Sequence, residues 1–293
     1  MSRLARREEL TAWLFVAPNM LGFLFFTVLC TAGAIGLSLT KWDIVTPPVW
    51  IGFGNFREMA KDPVFWKTLK NTFVFTFGSV PPAVAIGMLS ALALNRKFSG
   101  RLFFRTIYFL PVVTSMYVIA MVWRWFYNPD FGILNEMLWR LGVEQPPNWL
   151  TNRTWAMVAV IVLAVWKQLG YNMVLFLAGL QGIPSAIHEA ASIDGASAWD
   201  SFWHITIPLL TPTTFFVLVI SIIQSFQAFD AVVALTDGGP ADATRTLVLY
   251  IYDNAFRYLK MGYGSALALV LLLIVLSLTL VQWKLQRHWV NYE

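Results

Sequence analysis

The sequence predicts an all-α, polytopic membrane protein with six transmembrane helices. Three observations carry that expectation. Hydrophobic residues fill 58% of the 293 positions and charged residues only 13%, against about 45–50% and about 25% in soluble domains. The apolar residues gather in long runs, with the basic residues in short segments between them. Fourteen Trp and nine Tyr supply the amphipathic rings that settle at headgroup boundaries.

Crossing about 30 Å of hydrocarbon at about 1.5 Å per residue takes about 20 residues. Six segments qualify, at 12–38, 72–94, 106–127, 155–179, 207–230 and 263–283. The first follows a basic N-terminus and could pass for a secretory signal, with Ala32-Gly33-Ala34 as a cleavage site. However, no charge occurs from Leu10 to Thr40, far longer than the roughly 7–15-residue core of a signal peptide. An uncleaved span is expected, with Cys30 as a small packing residue inside it. Pro81-Pro82 and Pro111 fall inside the second and third spans, where neighbouring groups can satisfy the freed carbonyls. Between the first two spans, Lys41–Lys70 has room for one interfacial helix anchored by Phe56, Met59 and Trp66.

Residues 95–105 hold four basic and no acidic side chains. With Arg3, Arg6, Arg7, Lys284 and Arg287 they place both termini in the cytoplasm by density of positive charge. The opposite side carries ten basic residues in longer loops against nine here, so the count alone does not orient the chain. The formal charge of +5 reads as membrane topology and not as a nucleic-acid face. With no repeat and no linker, residues 1–293 are expected to form a single transmembrane domain.

Residues 183–206 do not belong in lipid. Pro184-Ser185 starts a short helix with Ser185 as N-cap and Glu189 near its positive end. Asp194-Gly195 ends it, and Ser197 with Asp200 resembles a capping box for a second helix, closed by Pro208. About eight residues span only about 12 Å. Ala186, Ala190 and Ala191 give the first helix a slim face that another protein's groove could admit. An amphipathic interfacial loop is the competing interpretation.

Glu189-Ala-Ala-x-x-Asp-Gly195, followed by Ile205-x-Ile-Pro208, resembles the EAA loop of ABC importer permeases. So do Arg105-Thr-Ile-Tyr-Phe-Leu-Pro111, Trp123-Arg-Trp-Phe-Tyr-Asn-Pro129, Gly132-Ile-Leu-Asn135 and Trp166-Lys-Gln168. Leu235-Thr-Asp-Gly-Gly-Pro240, with Thr244 and Tyr252 beyond it, resembles the first permease subunit of the maltose- and glycerol-phosphate-type carbohydrate transporters. The resemblance runs from about residue 12 to 283 and implies a type I ABC importer permease fold. It implies that Glu189, Ala190, Ala191, Asp194 and Gly195 form the coupling helix that enters a cleft of a cytoplasmic ATPase. It further implies a heterodimer with a second permease, two copies of the ATPase and an extracytoplasmic solute-binding protein. Such complexes sit in the bacterial or archaeal plasma membrane. The region 183–207 holds no Lys or Arg, a departure that leaves docking to its acidic groups and to packing.

Intramembrane polar groups usually face a bundle interior or a water-filled cavity. Lys167, Gln168, Tyr171 and Asn172 share a stripe on the fourth span, and Ser221, Gln224 and Ser225 one on the fifth. Together they offer donors, acceptors and an aromatic face to a sugar-like solute. Packing between helices is the alternative, with Lys167 paired structurally or snorkelling. A membrane enzyme would need a convergent acid, base or metal cluster. The three histidines lie outside the spans and no His-Glu-x-x-His occurs. No Gly-Lys dipeptide occurs either, so there is no Walker A loop. No cofactor or metal is expected on this chain, and ATP and Mg belong to the ATPase. A self-sufficient secondary transporter or channel is the remaining alternative, disfavoured because no span holds a carboxylate near its middle.

Overall fold

A computed structural model of the chain describes residues 3–96 and 98–290. The cytoplasmic assignment of Met1, Ser2, Lys97 and residues 291–293 lies outside them. In chain order the helices are α1 (Arg3–Gly22), α2 (Cys30–Ser38), α3 (Gly54–Lys61), α4 (Pro63–Asn95), α5 (Arg101–Val113) and α6 (Met116–Phe126). They continue as α7 (Ile133–Arg140), α8 (Arg153–Gly182), α9 (Ser185–Ile193), α10 (Ala198–Ser201), α11 (Ile207–Leu209) and α12 (Thr211–Phe226). The last three are α13 (Asp230–Thr236), α14 (Leu247–Tyr252) and α15 (Met261–Gln286). A wider, π-type segment, Phe23–Leu29, joins α1 to α2, and β1 (Thr40–Lys41) pairs antiparallel with β2 (Val49–Trp50).

Among the described residues, Thr11–Ser38, α4, α8 and α15 are long and apolar enough to cross a membrane. The count reaches six when the pairs α5 with α6, and Ala198–Leu209 with α12, are each taken as one bent span. The predicted all-α polytopic class is therefore the observed one. Several boundaries move. The interfacial helix expected within Lys41–Lys70 is two elements: Phe56 and Met59 lie on α3, Met59 buried, whereas Trp66 belongs to α4. Pro63 opens α4 where a missing N–H costs nothing, so the second helix extends well before residue 72. Asp230 starts a helix of its own instead of ending the fifth span.

The largest correction concerns the third span, expected as one helix over 106–127. It is two helices meeting at 103°. Pro111 has no N–H to give, and Thr114 and Ser115 are extended, with ψ of 141° and 136°. Carbonyls orphaned at such a break inside a bilayer must find donors within the protein. Thr114 Oγ1 donates to the Leu110 carbonyl at 2.8 Å.

The chain divides into two compact units, Met1–Asp62 with Ile251–Leu272, and Pro63–Tyr250 with Leu273–Glu293. In the first, buried Asn55 fixes the hairpin to the preceding helix by donating to the carbonyls of Ser38 (2.8 Å) and Thr40 (2.9 Å). Tyr263 donates its hydroxyl proton to Asp62 at 2.7 Å.

The second unit is built on α4, α8 and α12. Small residues bring these backbones together, as in membrane bundles generally. A Cβ on Gly87 would lie 2.6 Å from the Cβ of Asn172, and one on Gly179 would lie 2.4 Å from Thr213 Oγ1. One apolar cluster centres on Phe75, Trp123, Tyr127, Val160 and Leu163, and another on Val84, Met173, Phe176, Leu210 and Val217. The Gly-Gly-Pro loop is tied to the start of α4. Lys67 Nζ donates to the Ala241 carbonyl, Asn71 donates to those of Asp242 and Arg245, and Thr72 Oγ1 accepts from the Leu247 N–H.

Candidate functional site

Asn152 caps α8 by accepting from the N–H groups of Thr154 and Trp155, which fixes the register of the polar stripe further along that helix. Gln168 faces α12, and with Lys167 beside it meets Ser221, Gln224 and Ser225 around a cavity of about 380 Å³. That is within the about 300–1,000 Å³ typical of small-molecule sites. Gln168 Nε2 donates to Gln224 Oε1 at 2.9 Å across the two helices, and more weakly to Asn172 Oδ1 at 3.4 Å. Ser225 Oγ donates to the Ile222 carbonyl or to Thr76 Oγ1 on α4. Ser221 is buried, and its hydroxyl has no partner among the described residues.

Lys167 reaches the other way. Its Nζ donates to the carbonyls of Pro111 (3.0 Å) and Thr114 (2.8 Å), the two sides of the break in the third span. Tyr171 and Asn172 are not in the cavity wall. Tyr171 is half-buried outside it, and Asn172 is fully buried against Gly87 of α4. The aromatic surface of the cavity comes instead from Phe75 and Phe229.

Those two rings, with Ser79 on α4 and Met116 at the start of α6, are not among the residues expected from the sequence. A usable signal was present: Thr72, Thr76 and Ser79 recur at helical spacing through an apolar run. Gln227 and Asp230 line the cavity at the junction between α12 and α13. The wall thus holds three primary amides, three serine hydroxyls, two phenyl rings and one charge of each sign. Such a wall matches a polyhydroxylated molecule, with ring faces for C–H surface and amides for hydroxyl groups.

The coupling-loop candidates lie on α9 and the turn after it. The helix starts one residue earlier than expected: Pro184 occupies the N-cap position with no side-chain bond, and Ser185 is already helical. Its end is a Schellman motif, in which the Ala196 N–H bonds the Ala191 carbonyl at 2.9 Å and the Gly195 N–H bonds that of Ser192 at 3.2 Å. Gly195 supplies the left-handed residue this motif needs, at φ +83°. The predicted capping box is present: Ser197 and Asp200 bond reciprocally. First the Ser197 hydroxyl and then its N–H hold the Asp200 carboxyl below its ordinary value. His188 Nδ1 and Ser201 Oγ, 3.0 Å apart, tie α9 to α10. Glu189, Ala190, Asp194 and Gly195 are exposed and Ala191 is half-buried. Ile193 (86% exposed) and Trp199 (68%) add apolar surface beside them.

Residues 83–289 match the family model described as binding-protein-dependent transport system inner membrane component. The chain is 40% identical over 296 residues to the probable ABC transporter permease protein YesP of Bacillus subtilis, covering 100% of this chain and 95% of that one. It is 37% identical to the lactose transport system permease protein LacF of Rhizobium radiobacter, covering 88% and 87%. It is 35% identical to the sn-glycerol-3-phosphate transport system permease protein UgpA of Rhizobium meliloti, covering 100% of each. Among solved structures it superposes with TM-score 0.83 and 25% identity on a chain of a bacterial ABC transporter involved in the import of the acidic polysaccharide alginate, over 98% of this chain and 99% of that chain.

Proposed function

Because the chain belongs to the binding-protein-dependent transport system inner membrane component family, we propose that it forms half of the translocation path for a sugar or sugar-like solute. The solute class is an oligosaccharide or a glycerol-phosphate-type molecule, in keeping with the lactose and sn-glycerol-3-phosphate systems of its relatives. The observation that carries this reading is the place of the cavity. Its two polar walls stand on α8 and α12, the helices that the loop bearing Glu189 and Gly195 joins in sequence. Displacement of that loop by an ATPase would tilt both walls, so alternating access follows as rocking of one permease half against the other.

The working complex contains a second permease in a heterodimer, two ATPase subunits and an extracytoplasmic binding protein, with residues 1–293 as one permease domain. ATP hydrolysis belongs to the partner subunits. The solute contacts are Gln168, Ser221, Gln224 and Ser225 on the cavity wall, with Lys167 beside them and Tyr171 and Asn172 supporting the stripe from behind. Each hydrogen bond contributes modestly, about 0.5–1.5 kcal/mol, so that solute is released once the path opens inward. Replacing both Gln168 and Gln224 by Ala is expected to lower uptake at least several-fold in cells carrying the whole complex. Uptake is followed for the solute recovered from the purified binding protein. Wild-type uptake in that double variant moves the site elsewhere in the bundle.

Residues 1–11, 95–105, 180–206 and 284–293 are cytoplasmic in this scheme, a placement supported by the density of basic residues in the first, second and last of these. A cysteine at position 190, in a background where Cys30 is Ser, is expected to react with an impermeant maleimide only after the membrane is opened. Labelling from outside intact cells reverses the orientation.

A further inference from the structure

We propose that Lys167 is a positioning residue that holds the third span broken, and that its charge serves the backbone and not the solute. The inference rests on reading the α8–α12 cavity as the solute path, since the broken span supplies part of its wall through Met116. At the end of α5 the carbonyls have lost their helical donors, and lipid offers none to replace them. The Nζ of Lys167 bonds one carbonyl inside α5 and one in the extended link, at 3.0 and 2.8 Å. An ammonium is suited to this, because it carries three donors that can diverge and a charge that strengthens each bond.

Gly170, one turn further along α8, admits the Tyr108 carbonyl so closely that a Cβ there would lie 2.0 Å from it. Close approach and charged clamp therefore act on the same α5 segment from the same face of α8. Two cations on the third span itself follow the same rule. Arg105 donates to the Leu94 carbonyl at the end of α4, and Arg124 donates to the Leu235 carbonyl near the end of α13. Each cation closes the C-terminal end of a helix, where positive charge meets the negative end of the peptide dipoles.

The test uses the complete complex in lipid nanodiscs, with spin labels on exposed Leu102→Cys and Met121→Cys in a Cys30→Ser background. The distance between the labels is measured without solute or ATP. In Lys167→Met it is expected to broaden and lengthen, by up to about 10 Å if α5 and α6 align at about 1.5 Å rise per residue. Lys167→Arg, which keeps a charged multiple donor, should restore the distribution of the parent. If Lys167→Met does not assemble, Lys167→Gln is read in the same way, and it too should lengthen the distance. A solute-free distribution equal to that of the parent in the assembled neutral variant overturns the proposal. The path reading stands or falls separately, on uptake by the Gln168→Ala, Gln224→Ala variant.

Discussion

Gly195→Val is expected to abolish the stimulation of ATP hydrolysis by the binding protein while the chain still inserts. Gly195 stands at φ +83° and a Cβ there would meet nothing within 4 Å, so the defect is one of conformation and not of crowding. A β-branched residue in the left-handed region is strained by about 1–3 kcal/mol, a roughly five- to 150-fold shift in population. The two bonds that close α9, from Gly195 to Ser192 and from Ala196 to Ala191, depend on that φ. Without them Glu189 and the alanine face lose their fixed angle to α10. Gly195→Asn is the informative control, because Asn tolerates left-handed backbone far better and should retain most of the stimulation. Stimulation at the wild-type level in Gly195→Val, measured on purified complex in proteoliposomes, removes this turn from the coupling path.

Gly170→Ala is expected to destabilise the second unit strongly. The new Cβ would sit 2.0 Å from the oxygen and 2.9 Å from the carbon of the Tyr108 carbonyl. Both are backbone atoms, so no rotamer relieves the clash, and overpacking of this kind costs about 1–3 kcal/mol or more. Parting α8 from α5 would also draw Lys167 away from Pro111 and Thr114. Gly182→Ala, on the same helix with nothing within 4 Å, is the matched control. The thermal midpoint of detergent-solubilised complex should fall by several degrees in the first variant and stay unchanged in the second. Equal midpoints would mean that α5 and α8 separate at no cost.

The apolar spans and the two short helices of the loop 183–206 were legible in the sequence because both are local. Apolar run length reports a span, and the Asp-Gly turn and the Ser197–Asp200 box report short helices through backbone chemistry that needs no distant partner. The break at Thr114–Ser115 was not legible. Pro111 suggested a bend, but a right-angled break depends on donors from Lys167 on another helix, and no local pattern announces them. The cavity was half legible for a related reason. Gln168, Gln224 and the serines stood out as costly polar groups in apolar runs. Phe75 and Phe229 resemble lipid-facing rings until α4, α8 and α12 are assembled. Tyr171 and Asn172 share the stripe of Gln168 by spacing, yet α8 turns Asn172 into Gly87, a contact that only the helix packing defines.

The broken third span has a consequence for biogenesis. Its donor lies 53 residues downstream of Thr114. At roughly 5–20 residues per second of synthesis, the carbonyls at the break wait roughly 3–10 s before Lys167 is even polymerised. Until then the two half-helices have no charged partner to hold them apart in hydrocarbon. The third span can therefore take its broken form only after the fourth has been synthesised, and folding of the pair follows the order of the chain.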